Sequence, residues 1–206
     1  MDRTVGVVLA GGRSRRMGGT DKSLLTFLDR PLLHRILERF APQVEELLLS
    51  ANGELSRFQT FPLRVVADHR SGQPGPLAGI EAAFLACDAD WLVTVPVDLP
   101  FLPLDLVQRL WAAKGPLNQP AVASSRGRIH PVIALWPRAI LPAIRAALDA
   151  EQRRMLDLLA RLGHQIVEFP ALPDGQDPFF NVNDPASLEQ ARQWIASISS
   201  GTLRKT

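Results

Sequence analysis

Through its first hundred residues the chain alternates short apolar runs with segments whose apolar residues recur every three or four positions. Val5–Ala10 is the first run and reads as a buried strand. Pro31–Phe40 follows with Leu32, Leu33, Ile36, Leu37 and Phe40 on one helical face and proline at its first turn. "ELLLSAN" and "LRVVAD" are two further strands, each ending in a polar residue. Ile80, Ala83, Phe84 and Cys87 mark the next helical face, and "WLVTVPV" (Trp91–Val97) the next strand. In the second half "PAVAS", "RIHPVIALW" and "HQIVEF" read as strands. Helices are expected near Arg138–Leu148, over Arg153–Leu162 and over Pro185–Ile198, the last capped by Asp184. Strand–helix alternation of this kind predicts an α/β fold, a three-layer α/β/α sandwich around a mostly parallel sheet of Rossmann-like character. One domain is expected over residues 1–198, with a frayed polar tail over 199–206.

Composition narrows the class without changing this outline. With 206 residues, 46% hydrophobic and 21% charged, the chain can bury an ordinary core without staples. Its one cysteine, Cys87, excludes an intrachain disulfide and a cysteine-built zinc site. No stretch approaches the roughly 20 apolar residues of a membrane span, and the first apolar run is short for a signal-peptide core. A cytoplasmic location with no membrane partner is therefore the expectation. The formal net charge of +2 and the absence of tyrosine argue against a nucleic-acid partner, so any anion binding is local.

The local site announces itself directly after the first strand. "VVLAGGRSRRMGGTDKSLL" sets Gly11 and Gly12 before Arg13, Arg15 and Arg16, with Lys22 following. Glycines permit close backbone approach, and clustered cations want a strongly negative partner, so a polyphosphate fits. The dinucleotide pattern G-x-G-x-x-G is absent because the two glycines are adjacent, and Asp21 stands where a Walker loop needs glycine before Lys22-Ser23. Other polar residues fall at strand ends, where open α/β sheets place ligands: Ser50, Asn52, Asp68 and Asp98. Asp98, in "VPVDLPFLP", is placed to hold a magnesium ion, which takes one or two carboxylates together with substrate phosphates.

Leu9 to Lys22 reads as L-A-G-G-x-S-x-R-M-G-x(2)-D-K and resembles the signature of nucleotidyltransferases that activate small molecules with a nucleoside triphosphate. "PGPLAGIEAA" (Pro74–Ala83) and "FFNVNDPASL" (Phe179–Leu188), with "VDLPF", are similar to motifs of the molybdenum cofactor guanylyltransferases, the MobA type. The resemblance spans roughly residues 5 to 195. It implies transfer of GMP from GTP to the terminal phosphate of Mo-molybdopterin, giving the guanine dinucleotide cofactor and pyrophosphate, with Mg²⁺ as cofactor. It implies an N-terminal part that binds GTP and a C-terminal part that binds molybdopterin. Molybdoenzyme apoproteins or their chaperones are implied as partners that receive the product.

Residue by residue, the resemblance carries GTP contacts to Leu9, Ala10, Gly11, Gly12, Lys22, Asp68 and Asp98, and the metal to Asp98. A strand-end asparagine is expected where this chain has Ser50, so either Ser50 or Asn52 serves that contact. Asn181 and Asn183 share one face of an extended segment, as turn formers before Pro185 or as site residues toward the metal and the pterin, Asn183 above all. His130 and the pair Arg153–Arg154 resemble segments on the pterin side, against the alternatives of a structural histidine and a solvated helical face. Lys22, Arg16 and Asp98 are the expected catalytic set. Trp91, Trp111, Trp136 and Trp194 read as core or surface aromatics. A phosphate-monoester acceptor needs no general base, which fits the lack of an evident Ser–His–Asp arrangement. The rival readings are a CTP-dependent molybdopterin cytidylyltransferase, a sugar-phosphate nucleotidyltransferase, and a nucleotide-binding adaptor without catalysis.

Overall fold

A computed structural model describes residues 2–11, 22–70, 75–115 and 119–202. The first strand, β1 (Thr4–Leu9), is followed by a small hairpin of β2 (Thr26–Phe27) and β3 (Arg30–Pro31). Next come α1 (Leu32–Phe40), β4 (Glu46–Ser50), β5 (Arg64–Val66), α2 (Pro76–Ala86), β6 (Trp91–Pro96) and α3 (Leu106–Ala112). The remainder is β7 (Ala121–Ser125), β8 (Arg128–Pro137), α4 (Leu141–Asp149), α5 (Met155–Leu162), β9 (Gln165–Glu168) and α6 (Pro185–Thr202).

Seven strands form one sheet in the order β5-β4-β1-β6-β8-β7-β9. β1 pairs in parallel with β4 and β6, β4 with β5, and β7 with β9, while β8 runs antiparallel to both its neighbours. This is the mostly parallel sheet that the alternation predicts. From β1 the chain moves outward to β4 and β5, then returns to the other side of β1 as β6. The crevice above the carboxyl ends of β1 and β6 is thus a topological switch point, where open α/β sheets bind ligands.

Alternation along β1 sends side chains to two cores. Val8 joins Leu33, Ile36 and Phe40 of α1 and Leu106 and Leu110 of α3 on one face. Val5 and Val7 join Leu77, Ile80 and Phe84 of α2, Ile144 of α4 and Leu159 of α5 on the other. Trp136 is buried on this second face and its Nε1–H donates to Thr94 Oγ1 at 2.9 Å, the partner that a buried indole needs. A third cluster of Phe27, Leu32, Phe101, Val182, Leu188 and Ala191 seats α6 against the hairpin. No helix among the described residues is long and apolar enough to cross a membrane.

Several predicted boundaries move. α5 begins at Met155, so Arg153 and Arg154 stand on an exposed connection instead of a helix. The cause is the end of α4: Glu151 adopts a left-handed φ of 53° and Gln152 N–H donates to Ala147 C=O at 2.8 Å, which turns the chain away before a new helix can start. α6 runs to Thr202, past Ile198, into the segment expected to fray. α2 is buried on every side over Leu77–Phe84, because it lies between the sheet and α4.

Candidate active site

Backbone hydrogen bonds hold the strand ends level at the switch point. Ala10 N–H donates to Ser50 C=O at 2.8 Å, Ala51 N–H to Val66 C=O at 3.0 Å, and Val97 N–H to Leu9 C=O at 3.2 Å. The residues just beyond β1, β4, β5 and β6 therefore share one crest, and they are Gly11, Asn52, Asp68 and Asp98. Gly12 and Arg16, with Arg13 and Arg15, lie outside the described residues.

On one side of the crest Asn52 and Asp68 form a two-point pair. Asn52 Nδ2 donates to Asp68 Oδ2 at 2.7 Å, and Asp68 N–H donates to Asn52 Oδ1 at 2.9 Å. Asp68 Oδ1 is buried without a hydrogen-bond partner. Arg57 fixes the turn beneath by donating to Asn52 C=O at 2.8 Å. Ser50 is only 4% exposed, and a Cβ on Gly79 of α2 would stand 2.5 Å from its Oγ. Its hydroxyl thus points under the helix. Of the two candidates for the strand-end contact, Asn52 is the one whose side chain stands on the crest.

On the other side Lys22 joins three distant parts of the chain. It opens a short 3-10 turn, Lys22–Leu24, ahead of the hairpin. Its ammonium donates to Asp98 Oδ2 at 3.5 Å and to Asn183 Oδ1. The turn that carries Asn183 is itself tied to Asp98, whose C=O accepts Val182 N–H at 2.9 Å. Ser187 Oγ accepts the N–H groups of Asn183 and Asp184, both at 3.0 Å, while Asp184 Oδ1 accepts Ser187 N–H at 2.7 Å. This seats the first turn of α6 as the sequence predicts for Asp184.

Asp98 is 14% exposed, and its Oδ1 has no partner. Burial raises its carboxyl above the ordinary value, and the Lys22 ammonium counters only part of that. The orphaned oxygen is an acceptor that no described residue fills. Asp98 Oδ1 and Asn183 Oδ1 are hard oxygen donors of the kind Mg²⁺ takes. No group of three or more His, Cys, Asp or Glu suited to a metal exists among the described residues. A metal here must accordingly draw most of its ligands from substrate phosphates and water.

The remaining candidates fall into two groups. Asn181 is exposed on the turn before the buried Val182, on the same side as Asn183 in the alternation. His130, on β8, packs against Phe179 with ring centroids 4.9 Å apart and the planes tilted by 58°, and its Nε2 lies 2.8 Å from Ser125 Oγ. Ser125 Oγ also donates to Asp177 Oδ1 at 2.8 Å. A hydroxyl has one proton and an ionised carboxylate only accepts, so His130 Nε2 must be the donor to Ser125. The structure therefore does bring a serine, a histidine and an aspartate together, contrary to the sequence reading. The carboxylate binds the hydroxyl instead of the imidazole and Ser125 is fully buried, so the trio is not a nucleophile and base. Burial lowers the His130 pKa and keeps the ring neutral near pH 7. Asp177 also accepts Phe179 N–H at 2.9 Å, which makes it the anchor of the turn leading to Asn183. Arg153 and Arg154, by contrast, have no hydrogen bond or ion pair to Lys22, Asp98 or Asn183 among the described residues.

Sequence reasoning passes over Ser125, Asp177, Arg70 and Glu81. Glu81 had a readable signal, a lone acid inside the apolar run "PLAGIEAAFLA". Ser125 and Asp177 had none, being ordinary residues in a strand end and a loop.

The MobA-like NTP transferase domain matches residues 6–166. The molybdenum cofactor guanylyltransferase of Mesorhizobium japonicum is 50% identical over 202 residues, covering 95% of this chain and 97% of that protein. The one from Rhodopseudomonas palustris is 48% identical over 199 residues, covering 92% and 93%. A crystal structure of molybdopterin-guanine dinucleotide biosynthesis protein A from Archaeoglobus fulgidus is similar with a TM-score of 0.76, over 94% of this chain and 99% of that one. At 22% identity, that likeness is one of fold.

Proposed function

The chain belongs to the MobA-like NTP transferase family, and from that premise we propose that it acts as a molybdenum cofactor guanylyltransferase, moving GMP from GTP to the phosphate of Mo-molybdopterin with release of pyrophosphate. The observation that carries the site assignment is Lys22 bridging Asp98 and Asn183 at the switch point, beside a buried carboxylate oxygen with no partner.

In this reading an oxygen of the acceptor phosphate forms a bond to the α-phosphorus of GTP as the bond from that phosphorus to the β-phosphate bridging oxygen breaks. The acceptor is already ionised, so no residue has to remove a proton. What the protein must overcome is repulsion between two anions, which calls for positioning and charge neutralisation. Lys22 stands on the crest where the triphosphate would lie and offsets charge that gathers on the leaving pyrophosphate. Gly11, without a side chain, lets the backbone after β1 approach the phosphates, and the motif gives Arg16 the same charge-neutralising role as Lys22. Asn52 and Asp68 face the nucleoside, where the free Oδ1 of Asp68 is an acceptor for base or ribose donors. Asp98 and Asn183 would hold Mg²⁺, which when bound would supply positive charge to offset that of the phosphates. His130 and Asn181, on the β8 and Phe179 side, face the pterin-bearing substrate. This half-buried imidazole spends its Nε2–H on Ser125.

The test is pyrophosphate release with purified protein, Mo-molybdopterin and Mg²⁺, run with GTP, CTP, ATP and UTP in turn. Release confined to GTP and dependent on the pterin is the expected result. Release with CTP instead reassigns the protein to cytidylyl transfer, and none with any triphosphate points to a binding protein without catalysis.

A further inference from the structure

The segment between β5 and α2 carries Asp68 at its start, and a bidentate ion pair crosses its base. Arg70, two residues after Asp68, donates from Nε to Glu81 Oε2 at 2.7 Å and from Nη2 to Glu81 Oε1 at 3.0 Å. Its third nitrogen, Nη1, donates to Asp149 Oδ1 at the end of α4 at 2.6 Å. Arg145, also on α4, reaches Glu81 Oε1 at 3.3 Å. Glu81 sits in the middle of α2 and is 5% exposed, so among the described residues its charge is balanced by Arg70 and Arg145. The Arg70 hydrogen bonds lower the Glu81 pKa and keep it ionised.

An apolar pair of similar volume generally stabilises a fold as well as a buried ion pair or better. What an arginine–carboxylate fork adds is orientation, since two parallel hydrogen bonds fix both distance and plane. Here the fork joins the strand side of the β5–α2 segment to the helix at its far end and, through Asp149, to α4. Asp68 is thereby held at its distance from Asn52 on the crest. Resting on the nucleotide reading given above, we infer that Arg70 and Glu81 are positioning residues for base selection: they hold Asp68 in the geometry that prefers GTP, without touching the phosphates.

Two variants test this without leaving a buried charge unpaired. Arg70→Lys keeps the charge and loses the fork. Arg70→Met with Glu81→Met replaces the pair by apolar side chains of similar length, and the partners left over, Arg145 and Asp149, have side chains 47% and 69% exposed and can turn to water. Calorimetric titration with GTP, ATP, CTP and inorganic tripolyphosphate, each with Mg²⁺, separates base reading from phosphate binding. Both variants are expected to bind GTP about tenfold more weakly and to lose a similar factor of preference over ATP and CTP. Tripolyphosphate affinity, and kcat at saturating GTP, are expected to stay within twofold of the unmodified protein. Unchanged GTP preference in both variants overturns the inference, as does a parallel fall in tripolyphosphate affinity, which means general loosening. If the unmodified protein itself shows no preference for GTP, the nucleotide reading fails and the role of the clamp with it.

Discussion

Replacing Gly79 with alanine puts a methyl group where α2 comes closest to the sheet. A Cβ there would lie 2.5 Å from Ser50 Oγ, 2.9 Å from Leu9 Cδ2 and 3.4 Å from Ser50 Cβ. Ordinary contact begins near the last of these distances. The first contact must therefore open by nearly an ångström, through a lift of the helix or a forced rotation of the buried serine. Such overpacking costs about 1–3 kcal/mol, while alanine in a helix interior returns about 0.8–1 kcal/mol relative to glycine. The expected net loss is up to about 2 kcal/mol, a fall in Tm of up to roughly 8 °C for a chain of this size. Ser50→Ala removes the offending oxygen and leaves only the Cβ–Cβ contact and a flexible leucine methyl. The double variant should accordingly recover most of the loss, with a coupling energy of about 1–2 kcal/mol in a double-mutant cycle followed by urea unfolding. Because Asn52 stands two residues beyond Ser50, Gly79→Ala alone should also weaken GTP binding, and the double variant should restore it. Additivity of the two substitutions to within about 0.5 kcal/mol would refute the contact as the cause.

Asp98→Asn is expected to remove turnover while the protein still unfolds cooperatively, and Mg²⁺ should no longer sharpen GTP binding; turnover within tenfold of normal would exclude Asp98 from the metal site. Lys22→Met should lower kcat/KM by about 10²-fold or more, with an unchanged value removing Lys22 from the charge clamp. The same variant predicts a pH dependence. Asp98 already ionises above its ordinary value, so its folded state holds the proton more tightly than the unfolded chain does, and stability from this group is lost as pH rises through the folded pKa. Without Lys22 that pKa rises further. The stability gap between the two proteins should be small near pH 4 and widen toward pH 8; a gap that narrows contradicts the assignment. Glu151→Gly, at the left-handed end of α4, should raise stability by about 0.5–1 kcal/mol in urea unfolding, and a decrease would mean that the φ of 53° carries no strain.

The strands of the sheet were legible because each follows from local pattern. The runs followed by Asn52, Asp68 and Asp98 became strands whose ends reach the crest, and Gly11 was found from the glycine pair after the first run. α3 and the β2–β3 hairpin escaped such reading, because seven and four residues are too few to show a period. The helix expected from Arg153 failed for a different reason, a hydrogen-bond pattern at the end of α4 that depends on one residue's φ. Within the site, the strand-end residues were readable and their partners were not. That Lys22 meets Asn183, that Asp177 anchors the turn through Ser125, and that Arg70 reaches Glu81 are consequences of tertiary packing, which no spacing along the chain encodes. Ser50 illustrates the limit most directly, since it occupies the expected position while its hydroxyl faces the helix.

The meeting of Lys22 with Asn183 spans 161 residues of sequence, and this has a meaning for the order in which the protein is made. During synthesis β1, β4, β5 and β6 can pair as soon as they emerge, since each lies beside a strand already made. Lys22 then still lacks the amide that holds it, and Asp98 lacks the Val182 N–H on its carbonyl. Only after the turn before α6 has left the ribosome can Lys22 meet Asn183 and Asp98 receive the Val182 N–H. A nascent chain can thus own a nearly finished sheet while its transfer site is still unmade. Competence arrives late, with the segment that also secures the last helix.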